Sequence, residues 1–243
     1  MADSSLNTTA LDGLVTDLQA VFGQRLRCVA AYGGDGEAEA LSGGGTGDAR
    51  DHVHSLAVVD ALDARDLQAC AQLAGSWKRR GLATPLLMAA GELARSLDAF
   101  PLELGDILAH HRVVFGADVL AGLTVAPADT RRACEMQARS HLLHLREAFV
   151  ESGAEPRALA AIVQQSARPF RLLLASIDRL EGTGGGGAHL SLEDRAGISA
   201  GLVKQVLASG GRAGISPTDA QAVYPAYVAA VDRLVQYVDG WKA

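Results

Sequence analysis

Cysteine is scarce: Cys28, Cys70 and Cys134 are the only three in 243 residues, far apart and odd in number. That excludes a disulfide framework, and no Cys-x-x-Cys pair exists to build a zinc knuckle. A reducing, cytoplasmic compartment is the expected home. Positive charge is also short, with 22 Lys and Arg against 28 Asp and Glu, a formal charge of −6. No global field is left for non-specific binding of nucleic acid. No uncharged run approaches the roughly 18 residues of a membrane span, and the opening MADSSLNTT is polar and acidic where a leader would be basic and then apolar. No membrane partner is expected. A Ser-His-Asp nucleophile elbow, a Walker loop and a Rossmann glycine fingerprint are all missing.

What the chain does have is periodicity. With 49% apolar and 21% charged residues it can bury one substantial core or two modest ones. Residues 9 to 25 place Leu11, Leu14, Val15, Leu18, Val21 and Phe22 at three-to-four spacing, an amphipathic helix opened by Thr8 or Thr9. Short apolar runs of strand character follow at 26–32, 53–59 and 85–88, with a helix over 62–80 between the last two. Residues 35 to 51, holding Gly43, Gly44, Gly45 and Gly47, carry no apolar period and read as a surface loop. From Phe100 a short amphipathic piece ends in Val113-Val114-Phe115-Gly116. Composition then shifts at Pro127 to Asp129, and helical patterns occupy 129–151, 155–181 with Pro169 as a kink, 193–209 and 217–240. The glycine run from Gly182 to Gly187 reads as a flexible connection. The expected fold class is α+β: a small mixed-sheet domain over residues 1–128, then an antiparallel four-helix bundle over 129–243.

The most informative stretch runs from Tyr32 to Val59. A strand meets the Gly33-Gly34 turn, a loop follows, and the chain re-enters a strand as His52-Val53-His54-Ser55-Leu56-Ala57-Val58-Val59. This order resembles the nucleotidyltransferase superfamily, of the kanamycin nucleotidyltransferase and minimal nucleotidyltransferase kind. Its pattern is Gly-Ser or Gly-Gly, a loop, then Asp-x-Asp entering an apolar strand. The segment from Trp77 to Leu123 and the helical half, including Leu143-His144-Leu145-Arg146-Glu147-Ala148-Phe149, are similar to the continuation in bacterial proteins with this domain. The resemblance implies a nucleotide as ligand, a homodimer or protein partner, and Mg²⁺ as cofactor if the chain is active.

The departure from that pattern carries the functional expectation. In such enzymes the glycine turn lets backbone N–H groups approach phosphates, and paired carboxylates hold Mg²⁺ at the transferring phosphorus. Here His52 and His54 stand at the aligned positions. Imidazole is a softer ligand and brings no negative charge. Asp48 and Asp51 are replacements only if the register slips, and Glu103 or Asp98 only if they reach the cleft. His52 and His54, two apart on one strand, share a face that can also hold a transition metal, though with no third ligand in sight. The expectation is a degenerate, non-catalytic nucleotidyltransferase fold with Gly33 and Gly34 as nucleotide contacts. Two alternatives stand beside it: an active enzyme using Asp48, Asp51 or Glu103, and a helical-bundle interaction or toxin–antitoxin module.

Other residues read more simply. Arg139 and His144 match an Arg-x4-His spacing of helical ribonucleases, but five residues turn an α-helix by about 140°, so the two do not share a face. His110-His111-Arg112 fits a helix end, where cationic side chains complement the dipole. His141 and His144 read as exposed polar positions, Trp77 with Lys78-Arg79-Arg80 as a solvated basic helix end, and Tyr224, Tyr227, Tyr237 and Trp241 as bundle packing with hydroxyls at the rim.

Overall fold

The computed structural model describes residues 2–32, 52–182, 196–211 and 214–241. Helix α1 (Ala2–Phe22) leads through a 3-10 turn into β1 (Leu26–Tyr32). Then come β2 (His54–Val59), α2 (Ala64–Arg79), β3 (Leu86–Ala89), the single-turn α3 (Ala90–Leu93), α4 (Pro101–His110) and β4 (Arg112–Gly116). The strands form one mixed sheet in the order β3-β2-β1-β4. β1 is antiparallel to both β2 and β4, while β2 is parallel to β3. Antiparallel neighbours need only a hairpin, whereas the parallel pair needs a crossover, and α2 supplies it.

Every residue of β2 is buried, as expected of a strand covered on both faces. One face packs Val29, Ala31, Ala57 and Val59 against Leu11, Leu14, Leu18 and Phe22 of α1 and Cys70 and Trp77 of α2. The other packs Cys28, Ala30, Tyr32, Leu56 and Val58 against Leu93, Leu104, Ile107 and Leu120. α2 starts at a capping box: the Asp63 side chain accepts from the backbone N–H of Arg65 and Asp66, while Asp66 accepts from the Asp63 N–H. Arg25 grips the same Asp66 carboxylate in a fork at 2.8 and 2.7 Å, tying the entrance of β1 to the head of α2.

The chain divides into two compact units, Met1–Val125 and Ala126–Ala243. In the second, α5 (Pro127–Glu151), α6 (Pro156–Leu180), α7 (Ala200–Ser209) and α8 (Pro217–Asp239) pack as a helical bundle. Three of the four begin with proline in the first turn, where its missing N–H has no helical partner to lose. Ser199 and Ser216 cap α7 and α8. Pro169 lies inside the continuous α6. Leu145, Val163, Phe170, Leu173, Val206, Tyr227 and Leu234 fill the centre. Among the described residues no helix is long and apolar enough to cross a membrane.

The elements of the front unit differ from the sequence reading in three places. α1 begins at Ala2 and ends at Phe22, so neither Thr8 nor Thr9 opens it. Arg112–Gly116 is a full edge strand, where the sequence shows only the tail of an amphipathic piece. Val53 is an isolated bridge to Leu82 rather than part of β2.

Candidate functional site

The register of the sheet sets the site. Tyr32 closes β1, His54 opens β2, and the two are direct antiparallel partners. Their rings stack with centroids 5.8 Å apart and 26° between planes. Both are buried, at 4% and 2% exposure. Beside them, β4 begins with Arg112 opposite Ala31, so His111 stands at the same end of the sheet. β3 enters from this end too, since Leu86 pairs with Leu56.

His52 does not accompany His54. It lies outside the ladder, where strand alternation no longer governs a side chain. The Val53 N–H donates to the Gly81 carbonyl at 2.9 Å and the Val53 carbonyl accepts from the Ala83 N–H at 3.0 Å. This draws the segment toward the end of α2, and the Lys78 carbonyl there accepts from His52 Nε2 at 3.3 Å. The expectation that the two imidazoles share one strand face is therefore corrected: one rests on the last turn of α2, the other is packed on Tyr32 on the face covered by α3 and α4. Among the described residues, no group of three or more His, Cys, Asp or Glu is placed to hold a metal ion.

His111 is fixed from both sides. Its Nδ1 is 3.2 Å from the carbonyl oxygens of Ile107 and Leu108 at the end of α4, and its Nε2 is 3.3 Å from Asp118. Asp118 also accepts from the backbone N–H of Leu120 at 3.0 Å and Ala121 at 3.1 Å. Desolvation works against this carboxylate, but the His111 hydrogen bond and the two N–H donors hold it below the usual carboxylate range. His110 Nδ1 likewise faces the Asp106 carbonyl at 3.2 Å. The pair at 110 and 111 thus closes a helix end, as the sequence indicates. The link from His111 to Asp118 crosses a turn and has no periodic signal in the sequence.

Of the other candidates, Gly33, Gly34, Asp48 and Asp51 lie outside the described residues. Glu103 sits half-buried in the first turn of α4, and Asp98 is exposed in the turn before it. Three readings are corrected. Trp77 is fully buried and its Nε1–H donates to Asp17 at 2.9 Å, so it belongs to the core and not to a solvated basic end. His141 is buried against Tyr227 and Phe170 rather than exposed. The Tyr224 and Tyr227 hydroxyls end inside the bundle, on the Leu145 carbonyl and His141, and not at its rim. Arg139 is engaged by Asp239 at 2.6 Å, while His144 Nδ1 lies 3.3 Å from the Ser140 hydroxyl.

A cavity of about 900 Å³ opens within the bundle unit and is lined in part by Arg131, Arg132, Glu135, Glu181 and Trp241. Its arginines are already paired along their own helix, Arg131 with Glu135 and Arg132 with Asp129.

No protein-family model matches the chain, and none of the curated proteins compared with it does. Among solved structures the chain is similar to spectinomycin adenyltransferase AAD(9) from Enterococcus faecialis, a protein crystallised with ATP and spectinomycin. The likeness has a TM-score of 0.55 at 12% identity and covers 93% of this chain and 98% of that one. Its extent carries the fold: an α+β, nucleotidyltransferase-like mixed-sheet unit continued by a helical C-terminal part.

Proposed function

We propose that the chain is a non-catalytic nucleotidyltransferase-fold protein whose front domain, residues 1–128, binds a nucleotide at the Tyr32–His54 end of its sheet. The helical domain, residues 129–243, completes the fold. Support for the nucleotide comes from the likeness to an adenyltransferase crystallised with ATP, together with the Gly33-Gly34 pair directly after Tyr32 in the sequence. The backbone N–H groups of these two glycines are the proposed phosphate contacts.

The observation that carries the non-catalytic reading is His54. At the mouth of the β1–β2 hairpin it is a buried imidazole packed on an aromatic ring. In an active member Mg²⁺ would neutralise charge at the transferring phosphorus. The described donors at this end are the imidazoles of His52, His54 and His111 and the one carboxylate of Asp118, which His111 and two backbone N–H groups already engage; a set with a single carboxylate does not suit a hard ion that prefers oxygen. What this chain's own residues supply is a packed aromatic floor at Tyr32 and His54 and a rigid corner at His111 and Asp118.

The test is direct. Purified protein is incubated with labelled ATP, GTP, CTP or UTP with Mg²⁺ or Mn²⁺, and its melting temperature is followed with the same nucleotides. The expected result is a rise in melting temperature without turnover. Metal-dependent nucleotide turnover, lost in Asp48→Asn, Asp51→Asn or Glu103→Gln, would establish an active enzyme instead. No thermal shift with any nucleotide removes the ligand reading. RNA cleavage abolished by Arg139→Ala or His144→Ala would move the function to the bundle.

A further inference from the structure

Large apolar side chains exposed on the described surface concentrate on one helix. Of six, four lie on α5: Met136, Leu143, Phe149 and Val150. Met136, Leu143 and Val150 are 68%, 62% and 78% exposed. They are spaced seven residues apart, so they drift by only about 20° per step and form a straight stripe. Cys134, Ala138, His141 and Leu145 occupy the opposite side of the helix and face the bundle core. The stripe is thus surplus to the packing of its own unit: three exposed apolar side chains aligned on one side of the helix, one every second turn.

The flanks of the stripe differ in their charged groups: one carries arginines paired with α8 aspartates, the other glutamates with no ion pair among the described residues. Arg139 and Arg146 each follow a stripe residue by three positions, which sets them about 60° to one side. Their ion pairs to Asp239 at 2.6 Å and Asp232 at 2.9 Å, both on α8, hold this basic row in place. Glu147 follows Leu143 by four positions, about 40° to the other side, and Glu151 lies beyond it on the same flank. Both glutamates are exposed, and among the described residues neither makes an ion pair within the chain.

We propose that this face of α5 pairs with α5 of a second copy of the chain, side by side and parallel, about a two-fold axis running along the helix. The charge sidedness selects both occupant and orientation. When two identical helices pack in parallel, the left flank of one meets the right flank of the other, so the arginine side faces the glutamate side twice, with one Arg146–Glu147 pair on each side of the axis. Arg146 then stands level with the partner's Glu147 to within about one residue rise of 1.5 Å. Met136, Leu143 and Val150 meet their own counterparts. In the antiparallel arrangement like flanks meet, and arginine faces arginine. Each guanidinium has five N–H donors and can accept a second carboxylate beside its α8 partner. The assembly is isologous, and its small area makes it weak and reversible. It stands independently of the nucleotide reading.

The test is sedimentation equilibrium on the full chain across roughly 1 to 100 μM, a range suited to a small interface. The expected result is a mass rising from 25.2 kDa toward twice that value. Leu143→Asp, checked by circular dichroism and melting temperature, weakens association at least about tenfold. Glu147→Arg weakens it too, and adding Arg146→Glu to that variant restores it. Met136→Cys cross-links to itself on mild oxidation, in preference to a mixture of Met136→Cys and Val150→Cys chains. A chain that stays monomeric throughout, a dimer indifferent to both Leu143→Asp and Glu147→Arg, or preferred cross-linking of the 136 and 150 positions overturns the proposal.

Discussion

His141 on α5 and the hydroxyl of Tyr227 on α8 share a hydrogen bond of 2.6 Å in the buried centre of the bundle. Phe170 of α6 stacks on the same imidazole, with centroids 5.6 Å apart. Burial, with a smaller contribution from His144, lowers the His141 pKa from 6.5 to about 4. The native state therefore resists a proton that the unfolded chain accepts. Stability contributed by the neutral imidazole is complete above the unfolded value of 6.5 and falls as the pH drops toward about 4. The full loss is on the order of 3 kcal/mol. Melting temperature measured from pH 7.5 to pH 4.5 (roughly the span of the two values) should decline more steeply in the wild type than in His141→Gln. Parallel slopes would contradict this.

All three cysteines are buried. Desolvation raises each thiol, and that of Cys134 reaches about 12. Since the thiolate is the reactive form, a thiol reagent at neutral pH should modify no cysteine in the native protein and all three on unfolding in denaturant. Fast labelling of one residue in the native state would show that its surroundings open.

Gly116 ends β4 with φ at +79°, and a Cβ placed there would stand 2.0 Å from the Arg27 carbonyl oxygen. Both the backbone conformation and the space require glycine. Gly116→Ala should lower unfolding free energy by roughly 2–4 kcal/mol, read from urea midpoints.

Ser55, 1% exposed on β2, has an Oγ with no hydrogen-bond partner among the described residues. A buried hydroxyl in that state is a cost rather than a contribution. Ser55→Ala should therefore leave stability unchanged or raise it by about 1 kcal/mol. A clear loss on the same urea measurement would mean the hydroxyl has a role in the native state.

The helices were legible because their signals are local. The apolar spacing of Leu11, Leu14 and Leu18 and the prolines at 127, 156 and 217 act within a few residues of where they stand. The α+β class followed from them. Features that depend on distant partners were not legible. Trp77 stands before three basic residues, and only the folded chain brings Asp17 to its ring nitrogen. His141 begins a His-Leu-Leu-His run in which polarity suggests solvent, yet Tyr227, 86 positions away, receives it in the core. At the candidate site the two strands are legible as apolar runs, but the pairing of Tyr32 with His54 is not, because a connection of that length fixes no register. Nor is the displacement of His52 toward Lys78, because the Val53–Leu82 bridge that causes it joins segments from either side of α2.

The direct pairing of Tyr32 with His54 also makes the sheet indifferent to how much chain runs between them. Departure and return points are neighbours, so lengthening or shortening that excursion alters closure entropy only logarithmically and shifts no rung of the ladder. Between Gly34 and His52, changes of length can therefore accumulate while the scaffold beneath stays the same.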